Sequence, residues 1–153
     1  HRERLFTETV AMTYLAIGEQ IVARLKDQVP ELLAVYTPSE IGDAEESSQI
    51  TPCCHVVYGG DQVADSAGRG AASMITQEWF VILAVSHASS QLNDTTDLQK
   101  EAGLIIPKIL KALQGWQPAG SVMPLVRVNA SPPVYQSTCA YYPFAFTGKL
   151  INS

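Results

Sequence analysis

The most apolar stretch of the chain runs from Met74 to Ala88. Its alternate positions read Trp79, Val81, Leu83 and Val85 on one side and Phe80, Ile82 and Ala84 on the other. A strand through it is apolar on both faces in its middle, which places it at the centre of a sheet. Thr76, Gln77 and Glu78 before it and Ser86, His87 and Ser89 after it give it polar ends. The run is shorter than the ~20 residues a membrane helix needs. Its β-branched and aromatic content favours a strand over a helix that would be apolar all round.

Elsewhere the pattern changes period. Between Glu8 and Gln28, Val10, Tyr14, Ile17, Ile21 and Leu25 recur at steps of four or three, as on one face of an amphipathic helix that Pro30 stops. Leu32 to Tyr36 reads as a short extended piece. Cys53 to Tyr58 reads as a strand ended by Gly59-Gly60-Asp61, and Gln62 to Ser73, with Gly68-Arg69-Gly70 at its middle, links it to the long strand as an extended hairpin. A second helix runs from an N-cap at Asp97 to Leu113, burying Leu98, Ala102, Ile105, Ile109 and Leu113, with a kink or restart expected at Pro107. Leu125 to Asn129 alternates as a half-buried strand. Tyr135 to Lys149 reads as another long strand, with Pro143 marking an edge or a bulge.

These elements predict a single two-layer α+β domain over residues 1–153, a mainly antiparallel sheet of four to five strands with two helices packed on one face. The central strand is then left with a second apolar face. Leaving it in water would forfeit about 1.5–3 kcal/mol for each large side chain, so it needs a cover, and another subunit is expected to supply it. The polar loop 37–52 is the other candidate, but it has little apolar surface to offer.

Composition narrows the function. Hydrophobic residues at 46% describe a globular chain, and a formal charge of −5 without a basic cluster argues against a nucleic-acid-binding face. The three cysteines lack a C-x-x-C spacing, so neither a disulfide framework nor a zinc site is indicated and a reducing compartment is expected. There is no signal-peptide pattern. The chain starts at His1 rather than Met, so residues 1–8 are expected to be a flexible or tagged start.

Candidate chemistry is thin. Cys53-Cys54-His55 with His87 offers a nucleophile and a base, or two metal ligands, yet successive cysteines on a strand point to opposite faces and small cysteines are common in cores. Gly68-Arg69-Gly70 opens into a strand rather than a helix, so it lacks the dipole a phosphate loop uses, and it reads better as a hairpin tip whose Arg69 contacts a partner. Asp43, Glu45 and Glu46 belong to a solvated loop or to an ordered contact in an assembly. No enzymatic activity, cofactor or metal is expected.

The succession of a long N-terminal helix, a two-strand hairpin, a proline-interrupted helix and a terminal aromatic strand resembles the tail terminator family of long-tailed bacteriophages. Tyr14 to Val29, His55 to Gly60, Gln77 to His87, Leu104-Ile105-Ile106-Pro107 through Trp116, and Tyr141 to Gly148 carry the resemblance. It implies a structural virion protein: a homohexameric ring that caps the tail tube, stops its polymerisation and presents a surface for head–tail joining. The implied partners are further copies of the chain, the tail tube protein and a head–tail connector or neck protein. DNA would only pass through the bore, and no membrane is involved. The implied location is the tail–neck junction of the virion, after assembly in the host bacterial cytoplasm. Asp61, Arg69, Glu45 and Glu46 are the candidate partner or oligomer contacts. Another connector or tube-associated virion protein, or a small-molecule-binding α+β domain, are the alternative readings.

Overall fold

A computed structural model describes residues 13–37, 49–86 and 95–152. In chain order these form helix α1 (Ala16–Gln28), strands β1 (Ala34–Tyr36), β2 (Cys53–Ala67) and β3 (Ala72–Ser86), helix α2 (Thr95–Leu113), and strands β4 (Val126–Val128), β5 (Val134–Tyr135) and β6 (Cys139–Asn152). The fold is α+β. The sheet has six strands in the order β1-β2-β3-β6-β4, with β5 also paired to β6. β3 takes the middle, as its two apolar faces require. All pairings are antiparallel except that of β1 with β2. The two strands beyond the expected set are short: β1 is the extended piece before Thr37, and β5 is the start of the run read as one strand from Tyr135.

Register assigns each side chain to a face. Val81 lies opposite Val56 and Phe144, and Trp79 opposite Tyr58 and Phe146. One row of the sheet, comprising Cys54, Val56, Trp79, Val81, Leu83, Val85, Ala140, Tyr142, Phe144 and Phe146, forms a single core cluster with Ile17, Ile21 and Leu25 of α1 and Ala102, Ile105, Ile109 and Leu113 of α2. Fully burying each large member contributes about 1.5–3 kcal/mol. Contact is closest at Gly18, where a Cβ atom would sit 2.3 Å from the Trp79 ring. The indole Nε1 donates to Gln77 Oε1 at 3.1 Å, and Gln77 Nε2 donates to the Tyr14 carbonyl at 2.9 Å, so the buried polar groups beneath α1 are paired. Arg24 ties the helices together: its Nε donates to the Ala112 carbonyl at 2.9 Å while its guanidinium lies 5.0 Å from the Trp116 ring. Lys108 of α2 pairs with Glu31 in the turn after α1.

Several boundaries differ from the expected ones for identifiable reasons. Gly59-Gly60 is not an end. The register shifts between Tyr58 and Asp61, Gly60 takes a φ of 99°, and β2 resumes, so the pair is a bulge. β2 and β3 thereby extend to Ala67 opposite Ala72, 15 residues each. α1 begins at Ala16, which leaves Tyr14 in the turn before it. α2 starts at Thr95, placing Asp97 inside its first turn, and runs through Pro107 without a restart. The residue whose carbonyl loses its donor there, Gly103, is exposed. β4 does not show the expected half-burial: Val126 and Arg127 are both exposed and Val128 is intermediate, while Leu125, just before the strand, is buried. The expected long strand from Tyr135 splits at a turn closed by Gln136 N–H donating to the Cys139 carbonyl at 2.9 Å. Pro143 sits within β6 opposite Ile82, between the residues that pair with β5 and those that pair with β4. The ladder on that side is interrupted where the proline cannot donate.

Candidate interaction surfaces

The other row of the sheet is the first candidate surface. From β2 it takes Cys53, His55 and Val57, from β3 Ala84, Ile82 and Phe80, and from β6 Tyr141, Pro143 and Ala145. Its two halves differ. Val57, Phe80, Ile82 and Pro143 are half-exposed, whereas Cys53, His55 and Cys139 are buried. Phe80 lies across Gly59, where a Cβ would come within 2.6 Å of its ring, so the glycine makes room for the aromatic.

What covers the buried half is Gln49, from the end of the polar loop that was the second candidate for a cover. Its Oε1 lies 2.8 Å from His55 Nε2, and its Nε2 donates to the Tyr141 hydroxyl at 2.9 Å and to Cys139 Sγ at 3.3 Å. Because the amide nitrogen is spent on donation, the histidine must donate from Nε2. His55 Nδ1 is then a buried acceptor with no partner, and the Tyr36 ring stacks on the imidazole at 5.3 Å. Burial lowers the His55 pKa. Part of the second face is therefore covered by the chain itself, through polar rather than apolar contact, so the end of loop 37–52, the less favoured of the two expected covers, takes a share of that role. The sequence carried no signal for this role of Gln49.

Cys53 and Cys54 do fall on opposite faces. Cys53 Sγ lies 3.7 Å from His55 Nε2, but burial, and then the neighbouring Cys139, push its thiol up to about 12. The Cys54 thiol is pushed up as well, chiefly by burial. An activated nucleophile needs the opposite shift. His87 lies outside the described residues, so its pairing with His55 does not enter the geometry.

The second surface is the arm formed by the far ends of β2, β3 and β6. Asp61 stands at its base, just after the bulge, and accepts from the Tyr14 hydroxyl at 2.5 Å and from the Tyr58 hydroxyl at 2.8 Å. Those two donors hold its carboxyl below the usual range, first Tyr14 and then Tyr58. Asp61 thus fastens the start of α1 to the hairpin, a role that its place after two glycines did not disclose. Arg69 occupies the tip, exposed, with a φ of 62° between Gly68 at 61° and Gly70 at 88°. At about 3.3 Å per residue the two sites are on the order of 20 Å apart along the strand, so the structure does not bring them together. Exposed Val63 and Ile151 flank the arm. Glu45 and Glu46 lie outside the described residues.

The third feature is a notch of about 400 Å³ at the Pro143 interruption, lined among others by Arg127, Asn129, Ser131, Tyr142 and Phe144. Among the described residues no group of three or more His, Cys, Asp or Glu side chains could hold a metal ion. No helix among them is long and apolar enough to cross a membrane.

Residues 11–152 match the family described as phage tail terminator protein. No curated protein matches the chain.

Proposed function

We propose a function from the premise that the chain belongs to the phage tail terminator family, which supports a structural role in the phage tail and suggests a virion component. From that premise we propose that it forms a homohexameric ring on the end of the tail tube, stops tube polymerisation, and offers the surface to which the head–tail connector joins. The half-exposed apolar strip Val57, Phe80, Ile82 and Pro143 carries this reading, because such a strip gains about 25 cal/mol for each Å² that a neighbouring subunit covers. A ring that satisfies the unpaired contacts of a tube end without repeating them on its upper side ends growth. The arm reaches beyond the core and supports contact with the tube or neck through Arg69 and the base around Asp61. Glu45 and Glu46 take the same role in their loop. A chain of net charge −5 repels DNA passing through the bore rather than trapping it.

Binding, not bond chemistry, does the work in this reading, and no cofactor takes part. The protein assembles in the host cytoplasm and ends at the tail–neck junction. Tube protein polymerised with and without the purified chain, and measured by electron microscopy, tests it. Shorter tubes with density at one end are expected, and Arg69→Glu restores their length. Tube lengths indifferent to the chain would overturn the proposal, and undiminished capping by Arg69→Glu would remove Arg69 from the contact.

A further inference from the structure

The sheet ends in two unlike edges that the ring reading leaves unused. β1 closes one side and β4 the other, and among the described residues no strand pairs with the outer side of either. Each edge strand has three residues, Ala34–Tyr36 and Val126–Val128, with no proline and no shift of register. Bare edges of this kind are templates for a further strand, and proteins that must stay single block them. The charge in β4, Arg127, does not stand in the way, since its guanidinium lies 5.3 Å from the Phe144 ring. Exposed apolar side chains accompany both edges: Leu33 and Ile50 beside β1, where the Ile50 N–H donates to the Tyr36 hydroxyl at 3.1 Å, and Val122, Met123 and Val126 at β4.

The two edges fit each other. β1 runs parallel to β2, and the pairings from β2 through β3 and β6 to β4 are all antiparallel, so β4 runs opposite to β1. A sheet continued from β4 of one copy to β1 of the next is therefore joined antiparallel, the slightly more stable pairing. Faces agree as well. Val35 and Arg127 stand on the helix-covered face, opposite Cys54 and Phe146, whereas Ala34, Tyr36, Val126 and Val128 stand on the other. With Arg127 set opposite Val35, Val126 meets Tyr36 and Val128 meets Ala34, all on the face that carries Phe80 and Ile82, and no side chain changes sides. Equal strand lengths leave no overhang. Because the edges are unlike, the contact is heterologous, and its repetition closes a ring; a two-fold dimer would use one edge and leave the other bare.

We infer that β4 of one copy pairs antiparallel with β1 of a second copy, so that the sheet runs on from subunit to subunit. This contact rests on the ring reading and names the strands that join its members. Backbone hydrogen bonds along three residues set the register, and the apolar side chains at the two edges leave water as the junction forms.

Within one chain β1 and β4 are four strand spacings of about 4.8 Å apart, roughly 19 Å, whereas a disulfide needs Cα atoms within about 7 Å. The full chain carrying both Ala34→Cys and Val128→Cys therefore forms that bridge only between copies. The three native cysteines are buried, and the unsubstituted chain under the same oxidant is the control. On mild oxidation, with and without tube protein, the double variant should give covalent multiples up to six chains on a denaturing gel. Each single variant alone should give none, and their mixture should give pairs only, because each chain then carries one half of one junction. Val126→Glu, a charge at an exposed position, should lower the assembled fraction about tenfold while the circular dichroism spectrum stays unchanged. Assembly without a bridge between positions 34 and 128, single variants that cross-link as readily as their mixture, or undiminished assembly of Val126→Glu would each overturn the edge pairing and leave the ring reading standing. An unsubstituted chain that stays single with and without tube protein would overturn both.

Discussion

Gly18→Ala sets two effects of opposite sign against each other. Gly18 lies in α1, where alanine is favoured over glycine by about 1 kcal/mol from helix propensity alone. The same methyl group would stand 2.3 Å from two carbons of the Trp79 ring, more than 1 Å inside ordinary contact. Trp79 is 5% exposed and tied through Gln77 to the Tyr14 carbonyl, so the ring cannot swing away without breaking that chain of bonds. Overpacking of this kind costs about 1–3 kcal/mol and here belongs at or above the upper end. The net expectation is destabilisation by about 2 kcal/mol, lowering Tm by roughly 4–8 °C in a chain of this size. Gly103→Ala is the matched control: the residue lies inside α2 with nothing within 4 Å of a Cβ, so the propensity gain stands alone and Tm should rise by roughly 2–4 °C. Thermal unfolding followed by circular dichroism measures both. If Gly18→Ala stabilises the protein as Gly103→Ala does, the packing of α1 on Trp79 is wrong.

Other expectations follow from the surfaces. His55 is buried with its pKa lowered, so the unfolded chain takes up a proton that the folded one resists; its contribution is complete above about pH 6.5 and is lost below it, at no more than about 1.4 kcal/mol per pH unit. Urea unfolding between pH 7 and 5 should show that slope and His55→Gln should flatten it, since of the groups within reach of the imidazole nitrogens Gln49 carries no ionisable group and the Cys53 thiol is pushed well above that window. Asp61→Ala should bring the Tyr14 phenol back toward its ordinary value of 10.0, because the Asp61 bond is the main cause of its rise, and should speed amide exchange at the start of α1; a Tyr14 titration that does not move would refute the clamp. Ile82→Lys places a charge in the half-exposed strip and should abolish assembly while leaving the circular dichroism spectrum intact, and assembly unchanged by it would move the subunit contact off this face.

Legibility in the sequence followed the physics of each signal. β3 was readable because a run apolar at both parities has one place in a sheet, and α1 and α2 because Ile17, Ile21 and Leu25, and Ala102, Ile105, Ile109 and Leu113, repeat at helical spacing. Gly59-Gly60 misled because glycine marks a bulge as readily as an end, and which one occurs depends on whether the partner strand continues opposite, which β3 does to Ala72. Pro143 was correctly seen as a break in pairing. Which side of the strand loses its neighbour there was not legible, since that depends on β4 and β5 leaving a gap beside it. The polar contacts were the least visible part. Gln49 on His55 and Tyr14 on Asp61 join residues 6 and 47 positions apart, and nothing in the local pattern of either partner marks the meeting.

The central claim, that copies of this chain close into a ring on a tube end, is tested most directly by the mass of the purified protein in solution, by light scattering with and without tube protein, with images of the same samples. The account predicts particles of about six times the 16.6 kDa chain with six-fold symmetry, either alone or upon adding tube protein. A species that stays at 16.6 kDa under both conditions would contradict it.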